Sequence, residues 1–120
     1  MPMANYPKRI KKLLRELMTQ AYERELHREL TKLEQSFAEW RDGKISSGEL
    51  SNRVHQYETG PSRELFKRYN DSALDMMVAY AVVAGIFDEN EVPGEVSEAI
   101  SGHLSFFRSL KEQGKLQMPK

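Results

Sequence analysis

Apolar residues recur along this chain at spacings of three and four, and no stretch shows the sustained alternation of a half-buried strand. The pattern predicts helices throughout. The first predicted helix runs from about Pro7 to Arg41. Pro7 suits a first helical turn, where its missing N–H costs nothing, and no glycine or proline follows until Gly43. The apolar positions of this segment fall into two sets. Ile10, Leu13, Leu14, Leu17 and Ala21 share one face; Leu26, Leu30, Leu33, Phe37 and Trp40 share another. At 100° per residue the second set lies roughly 150° around from the first, with Met18 and Tyr22 bridging them. Each face turns polar in the other half: Arg24, Glu25, Arg28, Lys32 and Glu39 continue the first, and Lys8, Lys11, Lys12 and Arg15 precede the second. The two halves therefore require different neighbours.

If unbroken, this helix is roughly 50 Å long at 1.5 Å per residue. A compact domain of this length has a radius of gyration of about 13–14 Å, so one end must overhang the body. The larger side chains of the second set make it the better match for the domain's own core. The expectation is that the first half projects, and that Ile10, Leu14, Leu17 and Ala21 form an exposed stripe for self-association across a two-fold axis. The alternative is a bend near Met18 to Tyr22, which no proline or glycine marks.

Downstream, Ser46 and Glu49 have capping-box spacing, and Ile45 and Leu50 flank them as a hydrophobic staple. Leu50, Val54 and Tyr57 give the next stripe, and Gly60-Pro61 is read as its end. A third helix begins at about Pro61 or Ser62 and carries Leu65, Phe66 and Tyr69, until Asn70-Asp71-Ser72 interrupts it. The fourth, about Ala73 to Phe87, is apolar almost all round, as expected for the buried centre of a bundle. Tyr80 and Val83 should therefore be little exposed, and Met76 and Met77 are read as core filler. Asp88 to Glu91 is a loop, and Pro93 opens a last helix with a stripe of Val96, Ile100, Leu104, Phe107 and Leu110, closed by Gly114. The expected fold is all-α: one domain over residues 1–120, a helical bundle with one long N-terminal helix and about four shorter ones. Residues 1–6 and 115–120 are expected to be disordered tails.

Composition narrows the function classes. With 39% hydrophobic and 30% charged residues the chain suits a globular domain rather than a disordered one. Eighteen basic and eighteen acidic residues cancel, which removes any strong global field toward nucleic acid or membrane. The absence of cysteine excludes disulfides, thiolate metal sites and cysteine nucleophiles. No secretory signal is visible, and the longest apolar run, Met76 to Phe87, is roughly half the ~20 residues needed to span a bilayer. A cytoplasmic location without membrane contact is expected.

Candidate chemistry is sparse. Glu23 and His27 are one turn apart, but two ligands on one helix are not a metal site, and no Glu-x-x-His or His-Glu-x-x-His pattern occurs. His103 lies at the edge of the last stripe with no nucleophile beside it. No catalytic residue, metal or cofactor is assigned. The turn at Gly60-Pro61 leads into a helix start, where free N–H groups with Ser62, Arg63 and Lys67 could hold an anion. The ordinary reading is a capped turn with solvated cations. Lys8, Arg9, Lys11, Lys12 and Arg15 form a basic cluster that could touch a phosphate backbone, though it equally suits the wet face of an amphipathic helix. The leading expectation is a protein–protein interaction or complex-subunit protein acting as a homodimer. A nucleic-acid-binding or regulatory protein using the basic cluster is second, and an enzyme with an unrecognised site is third.

Overall fold

The structure is a computed structural model, and it describes residues 6–119. Every regular element among them is helical: α1 Lys8–Arg41, α2 Ser47–Tyr57, a π turn Glu58–Ser62, α3 Arg63–Asp71, α4 Leu74–Val83, a 3-10 turn Glu89–Glu91, α5 Gly94–Ala99 and α6 Ser101–Glu112. The fold is all-α. Its extents of 54 × 32 × 27 Å reflect α1, which runs 34 residues without a break. Pro7 stands just before it as the N-cap residue (φ −56°, ψ 153°), and the bend considered near Met18 is absent.

α4 is the centre of the bundle, with eight of its ten residues buried, Tyr80 and Val83 among them. Met77 belongs to this core, but Met76 is 38% exposed, so only one of the two methionines fills it. The helix ends at Val83 rather than Phe87. Gly85 adopts φ +86°, a left-handed conformation that glycine takes at no steric cost, and Ile86 and Phe87 both donate backwards to the Ala81 carbonyl. That turn returns the Phe87 ring to the core.

α1 packs on α4, α3 and α5 through its first half, which reverses the expected polarity of this helix. Ile10, Leu14, Leu17 and Ala21 are core residues, with Leu14 and Ala21 fully buried. They are thus not the projecting self-association stripe expected from the sequence. It is the second half that overhangs, with Leu30 47%, Phe37 37% and Trp40 41% exposed. The reason lies in what each half meets. The stripe of Ile10 to Ala21 sits in the core cluster and Leu26 still packs against it, whereas from Leu30 to Trp40 the stripe extends beyond the body.

Two further boundaries differ from expectation. Gly60-Pro61 does not stop the helical path: α2 ends at Tyr57 and the chain continues through the π turn into α3, with Ser62 (φ −59°, ψ −49°) and Arg63 (φ −67°, ψ −44°) both helical. Proline lacks a donor and its ring crowds the carbonyl four residues back, and the wider π turn accommodates both. The last helix is two. At Ile100 (φ −106°, ψ 17°) the helical path breaks, while Val96, Ile100 and Leu104 are all buried in the core.

A polar clasp holds the middle of α1 to the α4–α5 connection. Arg24 donates to the Ile86 carbonyl (2.9 Å) and grips Glu91 with both terminal nitrogens (2.6 and 3.0 Å), while its guanidinium lies 4.7 Å above the Phe87 ring. The Arg24 hydrogen bonds, with help from the Asp88 N–H, lower the Glu91 carboxyl to about 2.

Candidate functional site

The overhanging half of α1 and α2 form a two-helix arm. Its tip is a tight reversal: Asp42 donates to Ala38, Gly43 (φ +75°) to Trp40 and Lys44 to Glu39, which satisfies the last carbonyls of α1. The sequence-predicted cap is present, with Ser46 Oγ accepting from the Glu49 N–H at 3.0 Å. The Glu49 carboxylate instead accepts from Arg53 Nε at 3.1 Å. Arg53 is the strut between the two helices, donating also to Glu39 at 2.6 Å and to the buried Ser36 hydroxyl at 3.2 Å. The Trp40 indole N–H reaches Ser47 Oγ at 3.0 Å. α2 therefore lies along the Ser36 side of α1 and buries Leu50 there. Leu26, Leu30, Leu33, Phe37 and Trp40 follow one another at spacings of four, three, four and three, the repeat of a coiled-coil seam. α2 leaves Leu30 and Phe37, two turns apart on that seam, facing water.

Two buried carboxylates lie in the body. Glu25, only 6% exposed, continues the buried i+4 ladder of Leu17 and Ala21, a position the sequence reading assigned to the polar side of α1. Its Oε2 accepts the Tyr69 hydroxyl at 2.6 Å, and Arg68 Nη1 lies 3.4 Å from Oε1. The Tyr69 ring packs against Tyr22 with centroids 5.1 Å apart. Burial, and then the bond to Glu25, push the Tyr69 hydroxyl far above its ordinary range. Asp75, 5% exposed, is the lone charge in the otherwise apolar α4. Its Oδ2 faces the Tyr6 hydroxyl (3.1 Å) and His103 Nε2 (3.2 Å), and its Oδ1 accepts the Met76 N–H (2.8 Å). Burial first, then Asp75, raise the Tyr6 hydroxyl above its ordinary value. A carboxylate–imidazole pair can orient a general base, but catalysis needs a nucleophile or substrate on the other ring nitrogen, and the His103 ring makes no second hydrogen bond among the described residues. Both clusters read as ties between helices. A signal for each stood in the sequence: a carboxylate on the ladder of an apolar stripe, and one carboxylate inside an apolar helix.

The other sequence-predicted residues are less concentrated. Ser62 sits in the π turn, with Arg63 and Lys67 exposed on α3. The Arg63 N–H is already donated to the Gly60 carbonyl. Of the basic cluster, Lys8, Arg9, Lys12 and Arg15 are exposed and Lys11 is partly covered; Arg9 is engaged by Glu95 at 2.7 Å. His27 is exposed and its carbonyl accepts the Thr31 hydroxyl at 2.7 Å. Among the described residues no group of three or more histidine or acidic side chains converges to hold a metal, and no helix is long and apolar enough to cross a membrane. Comparison with protein-family models, with curated proteins and with solved structures found no match to this chain.

Proposed function

We propose that the protein is a cytoplasmic interaction subunit that pairs with a second copy of itself through the arm. The observation that carries this reading is the uncovered Leu30–Phe37–Trp40 strip at coiled-coil spacing. Contiguous apolar surface of this kind is uncommon on monomers and usually marks an interface. The strip lies on one continuous helix, held straight by α2 and by the Arg53 strut, so it is presented as a rigid edge. A helix of the same pattern is its natural complement, and a two-fold pairing covers both strips at once. The function is then assembly: the body folds and the arm joins.

Sedimentation equilibrium over a wide concentration range tests this. The wild type should shift from monomer to dimer mass, and Leu30→Glu/Phe37→Glu should remain monomeric while melting within a few degrees of wild type. A wild type that stays monomeric at high concentration overturns the reading, as does a double variant that dimerises equally well. Nucleic-acid binding by the basic end of α1 has weaker support, because Arg9 is paired with Glu95 and the net charge is zero.

A further inference from the structure

α6 ends at a left-handed Gly114 (φ +70°), and from there the chain turns back over the body. Residues 115–119, expected as part of a disordered tail over 115–120 beyond Gly114, lie in a groove between α3 on one side and the α4/α6 pair on the other. Leu116 packs on the core. The buried Tyr80 donates its hydroxyl to the Gln117 carbonyl at 2.6 Å. Arg68 lies with its guanidinium 5.4 Å above the Tyr80 ring and forms the groove's floor beside it. On either side of this strap a cleft remains. One, of about 210 Å³, extends between Glu25, Pro61 and Met118; the other, of about 560 Å³, is lined by Met76, Met77 and Phe107. Arg68 and Gln117 border both, so the strap is the partition between two parts of one groove.

The strap itself shows what this groove accepts. It is a non-helical segment with an apolar anchor (Leu116), a backbone carbonyl taken by a buried hydroxyl donor (Gln117), and a second apolar pair (Met118 and Pro119). A buried tyrosine hydroxyl needs a partner, and a main-chain carbonyl supplies one whatever the side chain attached to it. The exposed Met76, with Phe107 lining the same cleft, gives the wider cleft a surface that adapts to different apolar side chains.

We propose that this groove is a second binding surface, separate from the arm, for a non-helical peptide segment of a partner with alternating apolar and polar residues, and that Lys115–Pro119 keeps it closed in cis. A segment tethered by so short a link acts at an effective concentration on the order of mM, so an incoming peptide must outcompete it. Weakening the strap's anchor should therefore strengthen binding of a peptide added in trans.

The test uses the full chain and a synthetic peptide matching residues 113–119 as the probe, followed by amide and methyl shifts. Leu116→Asp, which withdraws the anchor, should bind the peptide about tenfold or more tightly than wild type. The shifts should centre on Arg68, Met77 and Phe107 and leave Trp40 unmoved. Tyr80→Phe added to that background should weaken binding about fivefold, one hydrogen bond's worth. Leu116→Ser, a milder change, guards against loss of fold and should act in the same direction. Equal affinities for wild type and both Leu116 variants overturn the proposal. So does an absence of binding to a folded variant, or shifts confined to the arm. Loss of dimerisation on changing Leu30 and Phe37 would leave these results untouched, so failure of one surface is distinguishable from failure of the other.

Discussion

One helix lives in two environments. From Ile10 to Glu25, α1 lies against α3, α4 and α5, and its stripe is dry; from Leu30 to Trp40 it packs on α2, and its stripe is wet. By side-chain size the ranking would be the opposite. Burial is decided by how many partners reach a face, not by how apolar that face is. The first half lies against the body, where neighbouring helices bury it. The second half carries bulk that a single short helix cannot cover.

The comparison can be broken at its strongest point first. Val83→Asp places a charge in the packed centre of α4, and it should abolish cooperative folding by calorimetry, since an unpaired buried charge costs several kcal/mol. A cooperatively melting variant would show α4 to be peripheral. The contrast within α1 is next in size. Leu14→Ala should cost about 2–5 kcal/mol in urea unfolding, and Leu30→Ala measured as monomer under about 1 kcal/mol. Similar losses at the two sites would mean the arm is as well covered as the body.

Smaller effects sharpen the boundary between the halves. Tyr69→Phe takes the short hydrogen bond from the buried Glu25 and should cost about 1–3 kcal/mol at neutral pH. It should also flatten the alkaline limb. The raised Tyr69 hydroxyl keeps its proton in the folded state while the unfolded state loses it above the ordinary value of 10.0. Stability is thus full below that pH and falls as pH rises beyond it, less so in the variant. At the acid end Glu91 has the opposite sign. Its lowered carboxyl contributes above the ordinary 4.5 and is lost as pH falls toward about 2, so Glu91→Gln should weaken the acid dependence of melting in that window. Ser46→Ala removes the α2 cap at about 1 kcal/mol, and hydrogen exchange should speed up in α2 while α4 stays protected.

The sequence made the helical class, the buried α4 and the Ser46 cap legible, because periodicity and capping are local. What it hid was non-local. Glu25 looked like a solvent-face residue because its partners, Tyr69 and Arg68, arrive from more than forty positions away. Gly60-Pro61 looked like a stop because a π turn, which absorbs proline without ending the helical path, leaves no compositional mark. The break at Ile100 has no glycine or proline at the hinge itself, and Val96, Ile100 and Leu104 read as one uninterrupted stripe across it. The uncovered strip was visible as a stripe, but which stripe would be left over depended on the count of available helices, and that is a property of the whole chain.

The unbroken length of α1 also makes the molecule a lever. From Ala21, its last fully buried residue, to Trp40 the helix extends about 28 Å at 1.5 Å per residue. A rotation of about 10° at the body, within the range of small packing adjustments, would sweep the arm's tip through about 5 Å. Arg24 clasps this shaft next to its fulcrum, so loosening Glu91 or the Phe87 turn would register at the far end as displacement as well as in stability.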